Sequence, residues 1–178
     1  MKLLALLILV AFFIGCDDEK VKPSINTALK VEELPAQESW NSKVFFTDSG
    51  KTKAVLHAGH LKMFTGARET LLDSNIRVEF YNDLETIATT LTSKRGKVDD
   101  ITRNLYAIDS VVAVNDSGIT LITQELMWRN DDRKIVSNKF VTILTSVEKI
   151  EGYGFESDQS LDNYVIYNVT YVSKRDTL

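Results

Sequence analysis

The chain is short of several things at once. Its 178 residues hold one cysteine, Cys16, so no disulfide can form within the chain and stability must come from packing and strand pairing. Both prolines, Pro23 and Pro35, lie near the N-terminus, which leaves the rest free to run as uninterrupted extended segments. Basic residues do not dominate. With 21 Lys and Arg against 25 Asp and Glu, the formal charge is −4, and the basic footprint of a nucleic-acid binder is missing. There is no G-x-x-x-x-G-K-[ST] loop for nucleotide phosphates and no G-x-S-x-G elbow for a serine nucleophile. The uncharged apolar run from Leu3 to Cys16 falls short of the ~20 residues that cross a bilayer.

That run, preceded by Lys2 and followed by "CDDEK", has the order of a secretory signal. Phe13-Ile14-Gly15-Cys16 resembles the bacterial lipobox, in which cysteine becomes the new N-terminus and its sulfur carries a diacylglyceride. The expectation is a signal peptide over residues 1–15 and a lipid anchor on Cys16, which holds the protein to a membrane by its acyl chains. Asp17 resembles the residue that retains such lipoproteins at the inner membrane. Removing residues 1–15 leaves 20 basic against 25 acidic residues, a charge of −5. Residues 16–39, charged and aperiodic, read as the lipidated cysteine and a flexible tether, with a helical turn as an alternative over "TALKVEEL".

From Trp40 to Ser173 the composition changes to short segments rich in Val, Ile, Thr, Phe and Tyr, separated by Asn, Asp, Ser and Gly. This is the pattern of many antiparallel strands, and residues 174–178 form a polar tail. Three stretches superpose, "FTDSGKTKAVLHAG", "YNDLETIATTLTSKRG" and "VNDSGITLITQELMW", with turn aspartates Asp48, Asp83 and Asp116 spaced 35 and 33 residues apart. Each predicts a hairpin, and the period predicts stacked hairpins or a rolled double sheet. In "IRVEFYN" the alternation puts Ile76, Val78 and Phe80 on one face and Arg77, Glu79 and Tyr81 on the other. Leu121, Leu126 and Phe140 join the inward set. "TGARETLLDSN" allows a short helical or loop insert. The last strand, "VIYNVTYV", is a candidate sheet edge.

Site chemistry is sparse. His57 and His60 in "HAGH" are three apart, which on a regular strand sends them to opposite faces and disfavours a shared metal. "SKRGK" reads as a solvated loop, "DSG" as a turn, and the sequons at Asn115 and Asn168 as turn and strand residues. Trp128 and Phe155 are candidates for core or for the lining of an acyl-chain cleft.

In combination, "IRVEFYND", "DSGITLITQELMWRNDDRKIVSN", "FVTI" and "IEGYGFESDQSLDNYVIYNV" resemble the LptC family of lipopolysaccharide export, over about Trp40 to Val172. The resemblance implies an all-β, twisted, boat-like antiparallel β-jellyroll of the OstA/LptA-like kind, with an apolar groove between sheets. It implies a non-enzymatic bridge subunit without a cofactor, on the periplasmic face of the inner membrane. Its partners would be lipopolysaccharide, the inner-membrane ATP-binding-cassette transporter of LptB, LptF and LptG, and LptA or an equivalent. Family members often keep an uncleaved transmembrane helix where this chain has its lipobox.

On that basis Ile76, Val78, Phe80, Leu121, Leu126, Phe140 and Phe155 are expected to line the lipid groove, and Gly152 and Gly154 to serve a tight bend or close backbone approach. Tyr164, Ile166, Tyr167, Val169 and Tyr171 are expected to form the edge that meets the next protein. The alternative is a structural envelope lipoprotein that assembles through strand edges and carries no lipid.

Overall fold

The computed structural model describes residues 34–174. The signal peptide, Cys16, Asp17, nearly all of the tether and the end of the tail lie outside the described residues. Nine strands follow one another: β1 (Gln37–Asp48), β2 (Lys51–Phe64), β3 (Glu69–Tyr81), β4 (Ile87–Asp99), β5 (Leu105–Asn115), β6 (Thr120–Arg129), β7 (Lys134–Leu144), β8 (Glu148–Ser157) and β9 (Tyr164–Lys174). They pair antiparallel in chain order into one open sheet, an all-β fold of β-jellyroll type with β1 and β9 at its edges. The first strand starts three residues before Trp40, and the segment considered for a helical or loop insert is a turn at 65–68 running straight into β3.

The three repeated stretches are the β1–β2, β3–β4 and β5–β6 hairpins, so the period of about 34 is one up-and-down strand pair. Ser49 and Gly50 turn the first with φ of +51° and +79°, the two positive angles that match strand twist. In the other two, the asparagine before the predicted aspartate organises the turn. Asn82 Oδ1 accepts the N–H groups of Leu84 and Thr86, and Asn115 Oδ1 accepts that of Ile119.

A line of bulges crosses the sheet, interrupting the register at 57–60, 73–76, 92–95, 108–111, 123–127 and 137–140. Pairs of positive-φ residues, Ser74 with Asn75 and Asp109 with Ser110, mark it in β3 and β5. Bulges bend strands and increase twist, and a row of them folds a sheet over itself. The rings show the result. Phe46 of β1 packs against Trp128 of β6 at 5.2 Å between centroids. In a flat sheet those strands would stand roughly 24 Å apart, at about 4.8 Å per strand. The expected double sheet is therefore two halves of one sheet, with Phe80, Leu91, Leu105, Leu121, Leu126 and Ile143 among the buried core between them.

The loop between β8 and β9 closes one side of that core. Leu161, fully buried with φ of +60°, plugs it. Asn115 Nδ2 donates to Ser160 O at 2.9 Å and Asp162 Oδ1 at 3.2 Å, and Gln159 Nε2 donates to Lys53 O at 3.2 Å. Within the loop, Asp158 accepts from Asn163 Nδ2 at 2.7 Å and Ser160 Oγ at 2.9 Å. Burial works to raise the Asp158 pKa, but the side-chain donors of Asn163 and Ser160 and the nearby backbone N–H groups outweigh it, and the carboxyl stays below its usual range. A lowered folded-state pKa stabilises fully above the unfolded value near 4, and this contribution is lost as pH falls through the folded value. Asp158→Asn is therefore expected to unfold at lower urea than the parent at neutral pH. The difference should vanish in melts run well below about pH 4.

Candidate functional site

A cavity of about 710 Å³ opens between the second half of β1 and the turns after β4 and β6. This is within the roughly 300–1,000 Å³ of ligand pockets. Its apolar lining includes Val44, Phe45, Phe46, Leu56, Leu61, Met63 and Val98, with the Trp128 indole among them. The bulge in β2 explains how both halves of that strand contribute. The alternation slips by one at the irregularity between His57 and His60, so that Leu56 and Leu61 both face inward. A Cβ at Gly59 would stand 2.5 Å from Ser74 O, so this approach of β2 to β3 requires glycine.

The same bulge corrects the expectation for the histidines. His57 and His60 both face outward, where His57 Nε2 lies 3.4 Å from Glu79 Oε2 and His60 is held by Glu38 at 2.6 Å and Asp73 at 3.2 Å. Trp40 stacks on His60 at 5.2 Å. Each imidazole has its own carboxylates, and no cluster of three or more metal-ligating side chains occurs among the described residues.

Charges ring the mouth. Arg133 pairs with Asp48 at 3.2 Å, and Lys53 with Asp83 at 2.8 Å. The Lys53 ammonium, donating to the solvent-exposed Asp83, holds that carboxyl below its usual range. Asp100 accepts from Thr70 Oγ1 at 3.0 Å. Arg103 makes no ion pair with any described residue. An apolar lining under a mixed-charge rim accommodates an amphiphile, with its chains inside and its polar head at the mouth.

The sequence-predicted groove residues divide. Ile76, Val78, Phe80, Leu121, Leu126 and Phe155 are buried in the core that continues from Leu56, Leu61 and Trp128, but they lie beneath the cavity and do not line it. Leu121 and Leu126 share a face only because the β6 bulge falls between them. Phe140 does not belong with them. In β7 the inward positions are Ile135, Val141 and Ile143, all of one parity, so Phe140, 40% exposed, falls on the opposite face, where it meets Tyr153 at 5.1 Å.

Gly152 and Gly154 both lie against β9. A Cβ at Gly152 would stand 2.4 Å from Asn168 O, and Gly154, at φ of +75°, lies under the Tyr167 ring. On β9 itself, Tyr164 and Ile166 pack against the core, while Val165, Tyr167, Val169 and Tyr171 are exposed along an unpaired edge. The lining residues Val44, Leu61, Met63 and Val98 were not singled out from sequence; a break in the alternation at "HAGH" was the available signal for two of them.

A family model described as lipopolysaccharide-assembly, LptC-related, matches residues 3–171 of the 178. No curated protein matches the chain. The family match spans the whole sheet and its groove apart from the last residues of β9, and the chain belongs to the LptC-related family of lipopolysaccharide assembly.

Proposed function

We propose that the chain is a carrier and bridge subunit of lipopolysaccharide export, which takes lipid from an inner-membrane ATP-binding-cassette transporter of LptB, LptF and LptG and passes it to LptA or an equivalent β-jellyroll protein. Acyl chains enter the cavity beneath β1 while phosphates and sugars stay at the charged rim. Burial of apolar chain against Leu61, Met63 and Val98 is non-directional, so a chain binds without a fixed register and can slide onward. Lipidation of Cys16 holds the domain at the periplasmic face of the inner membrane, and the β9 edge from Tyr164 to Tyr171 receives the next protein by strand addition.

The observation that carries this reading is the apolar cavity itself, in a member of a lipopolysaccharide-assembly family. A photoreactive residue placed at Leu61 or Met63 in cells is expected to form lipopolysaccharide adducts that depend on transporter ATPase, whereas Tyr81 on the outer face gives none. Without adducts from a folded protein at either position, the carrier role is lost. The exposed apolar edge of β9 favours a second reading, an assembly lipoprotein that holds envelope components together and carries no lipid, and such a protein would give that negative result.

A further inference from the structure

Trp128 carries a hydrogen-bond donor with nowhere to go. Its side chain is fully buried, yet Nε1 has no partner among the described residues. Buried indole N–H groups usually find an acceptor, because an unmade bond in a low-dielectric interior forfeits the hydration the group had in water. Thr89 Oγ1 is also buried without a partner, but of the two residues only Trp128 lines the cavity. The ring neighbours of the indole are Phe46, nearly perpendicular at 82°, and Phe80 at 5.7 Å, neither of which offers a conventional acceptor. Of the carboxylates that line the cavity, Asp48 is engaged by Arg133 and Asp100 by Thr70, and Asp131 is no partner of the indole either.

Phe46 sits on an edge strand paired on one side only, beside a bulge between Phe46 and Thr47. Phe46 thus covers the indole from a strand that is held by a single ladder.

We infer that the Trp128 Nε1–H donates to the ester or amide carbonyl that joins an acyl chain to its sugar. This reading makes Trp128 a specificity determinant for acyl-linked lipid and rests on the carrier function proposed above. An entering chain displaces Phe46 and fills the apolar lining, and the carbonyl at its root reaches the donor just inside the charged rim. An alkyl chain in ether linkage fills the same space with a far weaker acceptor and leaves the N–H unsatisfied. One recovered hydrogen bond corresponds to about five- to tenfold in affinity.

The two tryptophans, Trp40 exposed on the outer face and Trp128 buried, make the test direct. The full chain, with ¹⁵N-labelled indoles and labelled methionine methyls, is placed in bicelles of ether-linked phospholipid and titrated with lipid A or with its fully ether-linked analogue. The Trp128 indole proton is expected to move downfield with lipid A only, with Trp40 unchanged. Lipid A should bind five- to tenfold more tightly than the analogue, a margin that Trp128→Phe removes. If the Met63 methyl responds to lipid A while the Trp128 indole does not, or if Trp128→Phe keeps the margin, the donor assignment is overturned and the carrier function stands. If neither Met63 nor Trp128 responds, both fall. Should Trp128→Phe fail to fold, the resonance of the parent chain decides alone.

Discussion

Gly152→Ala is expected to separate β9 from β8. A Cβ there would lie 2.4 Å from Asn168 O and 2.7 Å from Ile166 Cγ2, and the first of these is backbone that cannot swing aside. Relief requires β9 to move away from β8, against the ladder that pairs Gly152 with Val169 and Phe155 with Ile166. The cost should be at the upper end of overpacking, roughly 3 kcal/mol or more, if the whole domain stays cooperative. If β9 is released alone, the global urea midpoint moves less and the amides of Tyr164 to Lys174 exchange with solvent far faster than those of β3 to β6. Gly66→Ala is the matched control, since nothing lies within 4 Å of a Cβ there, and it should change stability by no more than about 0.5 kcal/mol. Equal behaviour of the two variants would refute the close approach.

Phe80→Ala and Phe140→Ala, made side by side, should differ several-fold. Phe80 is fully buried against Trp128, and truncation leaves a cavity between the two halves of the sheet, at about 3–5 kcal/mol. Phe140 is partly in water and loses an edge contact with Tyr153, worth about 1 kcal/mol. Urea unfolding of both variants measures the difference. A Phe140 loss as large as that of Phe80 would mean that the β7 strand faces the other way.

That pair also marks the limit of what alternation reveals. In "IRVEFYN" the register with β4 is unbroken from Ile76 to Phe80, and Ile76, Val78 and Phe80 lie in the core with Arg77, Glu79 and Tyr81 outside, as the period of two requires. Parity reverses at some of the irregularities, as between Leu56 and Leu61 and between Leu121 and Leu126, and counting by twos goes wrong there. His57 and His60 share a face for that reason, whereas Phe140 faces out by the ordinary alternation that Ile135, Val141 and Ile143 set. Hairpin turns were legible because their chemistry is local, although the asparagines do more there than the aspartates beside them. The cavity was not legible. It depends on β1 meeting the turns after β4 and β6, and no local pattern in "SKVFF" announces a partner more than fifty residues away.

The pairing order has a kinetic side. Since every strand bonds only to its neighbours in the chain, each new strand after β1 can add to a template already formed, and each addition closes a loop of a few residues at small entropic cost. The one expensive event is the last, when Gln159 finds Lys53 across 106 residues and Phe46 meets Trp128. Growth from one end and a final snap shut suit a chain that begins to fold before all of it has arrived, because early hairpins need nothing from later ones. In such a process the groove is the newest part of the molecule, finished only when the sheet closes.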